Sequence, residues 1–143
     1  MVRIAVIDGQ GGGIGTTIIK RIKEVFGERA EVWALGTNAI ATAQMMKAGA
    51  NRGASGENAI RHSAAQVDVI IGTIAILLSN AMMGEMTASM VCAIGESRAA
   101  KLILPLTQEP ISVVGTIREP LPHMVDRLIS EHLSQYVGSK EGN

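Results

Sequence analysis

The sequence predicts an α/β domain built on a mostly parallel sheet, and three observations carry that expectation. Short β-branched runs without alternation, clearest in "IAVI" at residues 4–7, suit strands buried on both faces. These runs take turns along the chain with segments of helical periodicity. The first run then enters a helix through five glycines in seven positions, Gly9, Gly11, Gly12, Gly13 and Gly15.

Taken in order, residues 4–7 form a central strand, and a helix starts inside the glycine run. Ile14, Ile18, Ile19 and Ile22 recur at helical spacing, with Lys20, Arg21 and Lys23 on the other faces. "AEVWALG" (30–36) is the second strand, and Thr37 and Asn38 stand as caps to the helix in "TNAIATAQMMKAGA". "NRGASGENAIRHSAAQ" carries a glycine-rich turn and a short helix, and "VDVIIG" is the third buried strand. "TIAILLSNAMMGEM" reads as a covering segment, after which Thr87 caps "ASMVCAIGES". "KLILPL" and "ISVVGT" are two more strands about the turn "TQEP", and so short a connection predicts an antiparallel edge pair. A last helix over 122–136 closes the domain and 137–143 reads as a frayed tail. The whole is expected to be one Rossmann-like three-layer sandwich over residues 1–143, without internal repeats or linkers.

Composition narrows the function classes. Thirteen basic and thirteen acidic residues leave no net charge to favour nucleic acid or an anionic membrane. Aromatics are 2%, namely Phe26, Trp33 and Tyr136, too few for a base-stacking platform. Nucleic acid and membrane are therefore not expected partners. The longest apolar run, residues 69–78, is interrupted by Gly72 and Thr73 and is short for a bilayer. The opening "MVRIAVIDG" reads as a strand rather than a signal peptide, and Cys92 alone forms no internal disulfide, so the expected compartment is the cytoplasm.

The glycine loop is the strongest functional signal. A helix amino end offers free N–H groups and the positive end of a dipole, which suits a phosphate. One or two glycines suffice for a tight βα turn, and five exceed that need. The strict G-x-G-x-x-G pattern fails, since Gly9 leads to Ile14 and Gly11 to Thr16, whereas G-x-x-x-G-x-G fits as Gly9, Gly13 and Gly15. "GQGGGIG" thereby resembles the cofactor loop of short-chain dehydrogenases. Their Tyr-x-x-x-Lys pair would fall on Tyr136 and Lys140, near the end of the chain, and is expected to be absent. "GGGIGTT" also resembles the loop "KGGxGKTT" of partition-type ATPases, with Gly11 and Thr16 where the lysines stand, which weakens any case for ATP hydrolysis. The reading is a nucleotide or dinucleotide, NAD or NADP, with its phosphate on residues 8–17. Candidate ligand residues are Asp8, Gly9, Gln10, Gly11, Gly12, Gly13, Ile14, Gly15, Thr16, Thr37, Asn38 and Thr73. Thr107 and Gln108 follow the fourth strand at the same expected edge. Asp8 is expected to order the loop by accepting N–H bonds, because a carboxylate otherwise repels phosphate. At the second strand "LGTNAIA" supplies neither the acid of an NAD site nor the arginine of an NADP site, leaving Thr37 and Asn38 for the ribose.

Other residues offer alternatives. Glu85, an isolated acid among methionines, suits either a general acid or base or a solvated turn. With Asp8 it supports an enzyme acting on a small phosphorylated or carboxylated metabolite. His62, His123 and His132 have no partners at metal spacing, so no metal is expected. Cys92 is expected to be buried, and Ser55 and Asn58 to cap a helix. Met82, Met83, Met86 and Met90 offer an adaptable apolar face on which a homo-oligomer would form through Met82, Met83 and Met86.

"AVIDGQGGGIG", "ALGTNAIATAQMMKAGA", "GASGENAI", "VDVIIG" and "LILPL", in this order, resemble a family of short bacterial proteins known as a domain of unknown function. The resemblance covers about residues 4–133 and implies a Rossmann-like bacterial protein, with no activity or catalytic residue attached.

Overall fold

The structure, a computed structural model, describes residues 1–138. Its centre is β1 (Val2–Asp8), whose residues Ile4, Ala5, Val6 and Ile7 are no more than 1% exposed. β2 (Ala30–Gly36) lies on one side of it and β4 (Val69–Thr73) on the other. β3 (Arg52–Ser55) and β5 (Ala100–Leu104) complete a five-stranded sheet of order β3-β2-β1-β4-β5. All four strand pairings are parallel.

Alternate residues of β1 feed two cores, which is why its sequence shows no polar face. Ile4 and Val6 pack with α1 (Gly13–Phe26), α2 (Ala39–Lys47) and α5 (Leu121–Arg127). Ala5 and Ile7 pack with α3 (Glu57–Ala64) and α4 (Ala88–Glu96). Two helical layers around one parallel sheet make the expected α/β sandwich. In α1 the seam is Ile18, Ile19 and Ile22, each 0% exposed, and such burial contributes about 1.5–3 kcal/mol per side chain. Asn38 caps α2 by accepting from the Ala41 N–H, and Thr87 caps α4 by accepting from the Met90 N–H.

Several local expectations need correction. The glycine-rich stretch at 52–55 is a strand, β3, held by parallel pairing to β2 despite two exposed arginine and glycine positions. The antiparallel edge pair does not form. Residues 111–116 curl instead of extending: Pro110 has no N–H to donate, Gly115 has φ +90°, and the Thr116 N–H bonds to the Val113 carbonyl. They face β5 across a cleft of about 540 Å³. The last helix changes pitch after Arg127, widening to a π turn over Leu128–His132 and tightening over Leu133–Gln135. Val137 is buried and the Gly138 carbonyl accepts from Arg29, so the expected fraying fails for these two residues, while 139–143 lie outside the described residues. No described helix is long and apolar enough to cross a membrane.

Candidate functional site

The chain crosses from one side of β1 to the other between β3 and β4, so the carboxyl ends of β1, β2 and β4 meet at a switch in strand order, where ligands bind in such sheets. Asp8 ends β1 at 8% exposure. Its Oδ1 accepts from the Gly9 N–H at 2.8 Å and its Oδ2 from the Gly15 N–H at 2.7 Å. Burial pushes this carboxyl above its ordinary value, the bonds from Gly15 and Gly9 oppose that rise, and the charge of Glu85 adds to it. Both oxygens are thus spent on the loop itself.

The glycines divide by what a side chain would meet. A Cβ at Gly9 would lie 2.5 Å from Met82 Sδ and from Thr37 Oγ1. At Gly12, φ is +74° and the Ala41 carbonyl oxygen would stand 2.9 Å away. At Gly15 a Cβ would strike Met45 and Asp8. These three are required by the fold. Gly11 and Gly13 are exposed, have no positive φ, and face open space. Among the described residues neither N–H has an acceptor, and both stand at the amino end of α1.

Glu85 gathers the rest. The segment after β4 returns over the ends of β1 and β2 and sets Glu85 Oε1 against three donors: Thr37 Oγ1 at 2.5 Å, the Gln10 N–H at 2.8 Å and Asn38 Nδ2 at 2.9 Å. Burial pushes its carboxyl up, but the donors Thr37, Gln10 and Asn38 outweigh this and hold it below the ordinary glutamate value. Asn38 Nδ2 also donates to the Gln10 carbonyl, and the Thr37 N–H donates to the Asp8 carbonyl. Gln10 is left-handed at φ +49° and is clamped on both sides of its peptide.

Asp8, Gly9, Gln10, Thr37 and Asn38 therefore come together, with Gly11, Gly12, Gly13, Ile14 and Gly15 as the turn and first residues of α1. Thr16 lies one step on, its buried hydroxyl without a partner among the described residues. Thr73 is 6% exposed and accepts from the Ala75 N–H, a cap to the turn Ile74–Leu77. Thr107 bonds locally to the Glu109 N–H. Ser55 does not cap α3, whose N-cap is Gly56; its hydroxyl donates to Thr42 Oγ1, which also accepts from the Gly36 N–H. Thr42, which ties β2, β3 and α2 together, escaped the sequence reading, and its only local signal is its place four residues after the cap Asn38.

The methionine face is also corrected. Met86 and Met90 are 0% and 2% exposed and pack under the sheet, so of the expected contact residues Met83 alone is fully presented, at 94%. Cys92, expected inside, is exposed.

Residues 3–137 match the family model described as Domain of unknown function (DUF3842), and the chain belongs to that family. No curated protein matches the chain. Among solved structures, a dodecameric FMN-dependent UbiX-like decarboxylase from Escherichia coli O157:H7 is similar over 100% of this chain and 98% of that one, at 13% identity and a TM-score of 0.47. At that distance nothing about cofactor or assembly passes from that enzyme to this chain.

Proposed function

For this DUF3842 protein we propose binding of a nucleotide or dinucleotide, NAD or NADP, with a phosphate on the outer side of the loop 8–17. The observation that carries the reading is the pair Gly11 and Gly13. No backbone conformation and no neighbour requires glycine at either position, and both N–H groups are open at the positive end of α1. Gly9, Gly12, Gly15 and Asp8 build the loop, while Thr37 and Asn38 lie where a ribose would follow. An acid or base role for Asp8 has less support, because its two oxygens are already bonded within the loop.

Thermal unfolding against NAD, NADP, FAD, ATP, GTP, coenzyme A and phosphate tests this, with Gly13→Asp as control. The new side chain enters open space and puts negative charge at a helix amino end, so the variant should unfold at the same or a higher temperature. A ligand at about 100 times its Kd should stabilise the native chain by about 2.7 kcal/mol and leave the variant unmoved. Absence of any shift among the nucleotides refutes the reading.

A second reading, self-association, is favoured by one observation of its own. Ile111, Val113, Val114 and Ile117 are exposed beside the open edge of β5. Light scattering on a size-exclusion column should then give more than one chain per particle, and Val114→Glu should return it to one.

A further inference from the structure

We infer that Glu85 selects the ribose of the bound nucleotide, accepting its free 2′-hydroxyl and disfavouring a 2′-phosphate, so that the site takes NAD in preference to NADP. This rests on the nucleotide reading of the glycine loop and adds a specificity residue to it.

The second strand ends in Gly36, Thr37 and Asn38, with no acid of its own. In dinucleotide sites of this architecture a carboxylate at that place bonds the ribose hydroxyls, and an arginine nearby accommodates a 2′-phosphate. Here the carboxylate arrives from the other side of the sheet. Glu85 belongs to the segment after β4, yet its Oε1 is fixed to Thr37 and Asn38 and to the Gln10 N–H. Three donors on one oxygen leave the other, Oε2, with no hydrogen bond among the described residues. That oxygen is held in orientation by the bonds to its partner atom and belongs to a partly exposed residue, as suits a hydroxyl acceptor.

The surroundings are built to deliver it. Gly9 has no side chain where one would approach Glu85 Oε1 to 2.9 Å and collide with Thr37 and Met82. Met82 and Met83 adopt φ of +57°, followed by Gly84 at +91°, so the approach to Glu85 runs through left-handed backbone that methionine rarely takes. All three partners of Glu85 are neutral, and none of the described ion pairs includes it. A neutral diol can be received there. A 2′-phosphate would meet a carboxylate that pairs with no arginine or lysine among the described residues.

Calorimetric titration of the full chain with NAD and with NADP decides the matter, followed by the same titrations of Glu85→Gln. The glutamine keeps an oxygen for Thr37, Asn38 and Gln10 and replaces the free acceptor by an NH2 donor. Wild type should bind NAD at least about tenfold more tightly than NADP, and the variant should bring the two within about threefold, chiefly by weakening NAD. Wild type should also bind 2′-deoxy-NAD at least about tenfold more weakly than NAD, a result independent of how the variant folds. Equal affinity of wild type for NAD and NADP, or an unchanged preference in a folded Glu85→Gln, overturns the role of Glu85 and leaves the nucleotide site standing. Binding of neither dinucleotide overturns both.

Discussion

The connection after β1 and the connection after β5 both leave the carboxyl edge of the same parallel sheet, and they are built in opposite ways. After β1, four residues suffice to reach α1, the Gln10 peptide is bonded at both its N–H and its carbonyl, and Asp8 and Glu85 hold the loop from two sides. After β5, residues 105–120 wander without a ladder, presenting Val114 at 97% exposure and Ile117 at 75%. The first is glycine-rich yet tightly determined; the second is rich in valine and isoleucine yet forms no strand. Residue type proposes a conformation, but partners for the backbone decide whether it is adopted.

The largest effect expected of this contrast lies within the β1 connection. Gly15→Val should cost about 2–4 kcal/mol in urea unfolding, since its side chain enters occupied space at Met45 and Asp8. Gly13→Ala should cost nothing and can add up to about 1 kcal/mol, because alanine reduces the freedom of the unfolded chain. Equal losses at the two positions would break the division between fold-required and open glycines. Next comes Asp8→Asn, expected to cost about 1–3 kcal/mol by the same measurement, because its amide turns a donor toward the N–H of Gly9 or Gly15.

A pH experiment separates the two acids. The folded pKa of Asp8 is raised above the ordinary 3.8, so its ionisation disfavours the folded state: the penalty is absent below 3.8 and complete above the raised value. The folded pKa of Glu85 is lowered below 4.5, so its stabilisation is complete above 4.5 and lost as pH falls through the lowered value. Carboxyl carbon NMR should accordingly show Asp8 titrating above its ordinary value and Glu85 below its own. The smallest effect belongs to the other connection. Measured at a concentration where the chain is a single copy, Val114→Glu should leave the unfolding free energy within about 0.5 kcal/mol, its side chain having no packing within the chain to lose.

Much of this architecture was legible along the chain. The burial of residues 4–7 in β1, 32–35 in β2 and 69–73 in β4 follows from their apolar runs, the isoleucine seam of α1 from helical spacing, and the caps Asn38 and Thr87 from their place before apolar segments. β3 was hidden because Arg52, Gly53, Ala54 and Ser55 have no strand signature, and β2 alone supplies their ladder. The reverse error at 111–116 has the same source, since β-branched residues at an edge without a partner have nothing to extend against.

For the site, the sequence by itself determined that a strand, a glycine turn and a helix amino end would adjoin, with Asp8 ordering the turn and Thr37 and Asn38 at the next strand end. These are local properties, fixed by periodicity and by the conformational range of glycine. Tertiary structure alone decided which glycines are free, since the obstacles at Gly9, Gly12 and Gly15 come from Met82, Ala41 and Met45, tens of residues away. It also decided the place of Glu85, 48 residues beyond Thr37 and bonded to it, because the chain must cross β1 before the segment after β4 can fold back over the ends of β1 and β2. No pattern within the sequence encodes a contact of that separation; packing of the two cores on either side of β1 does.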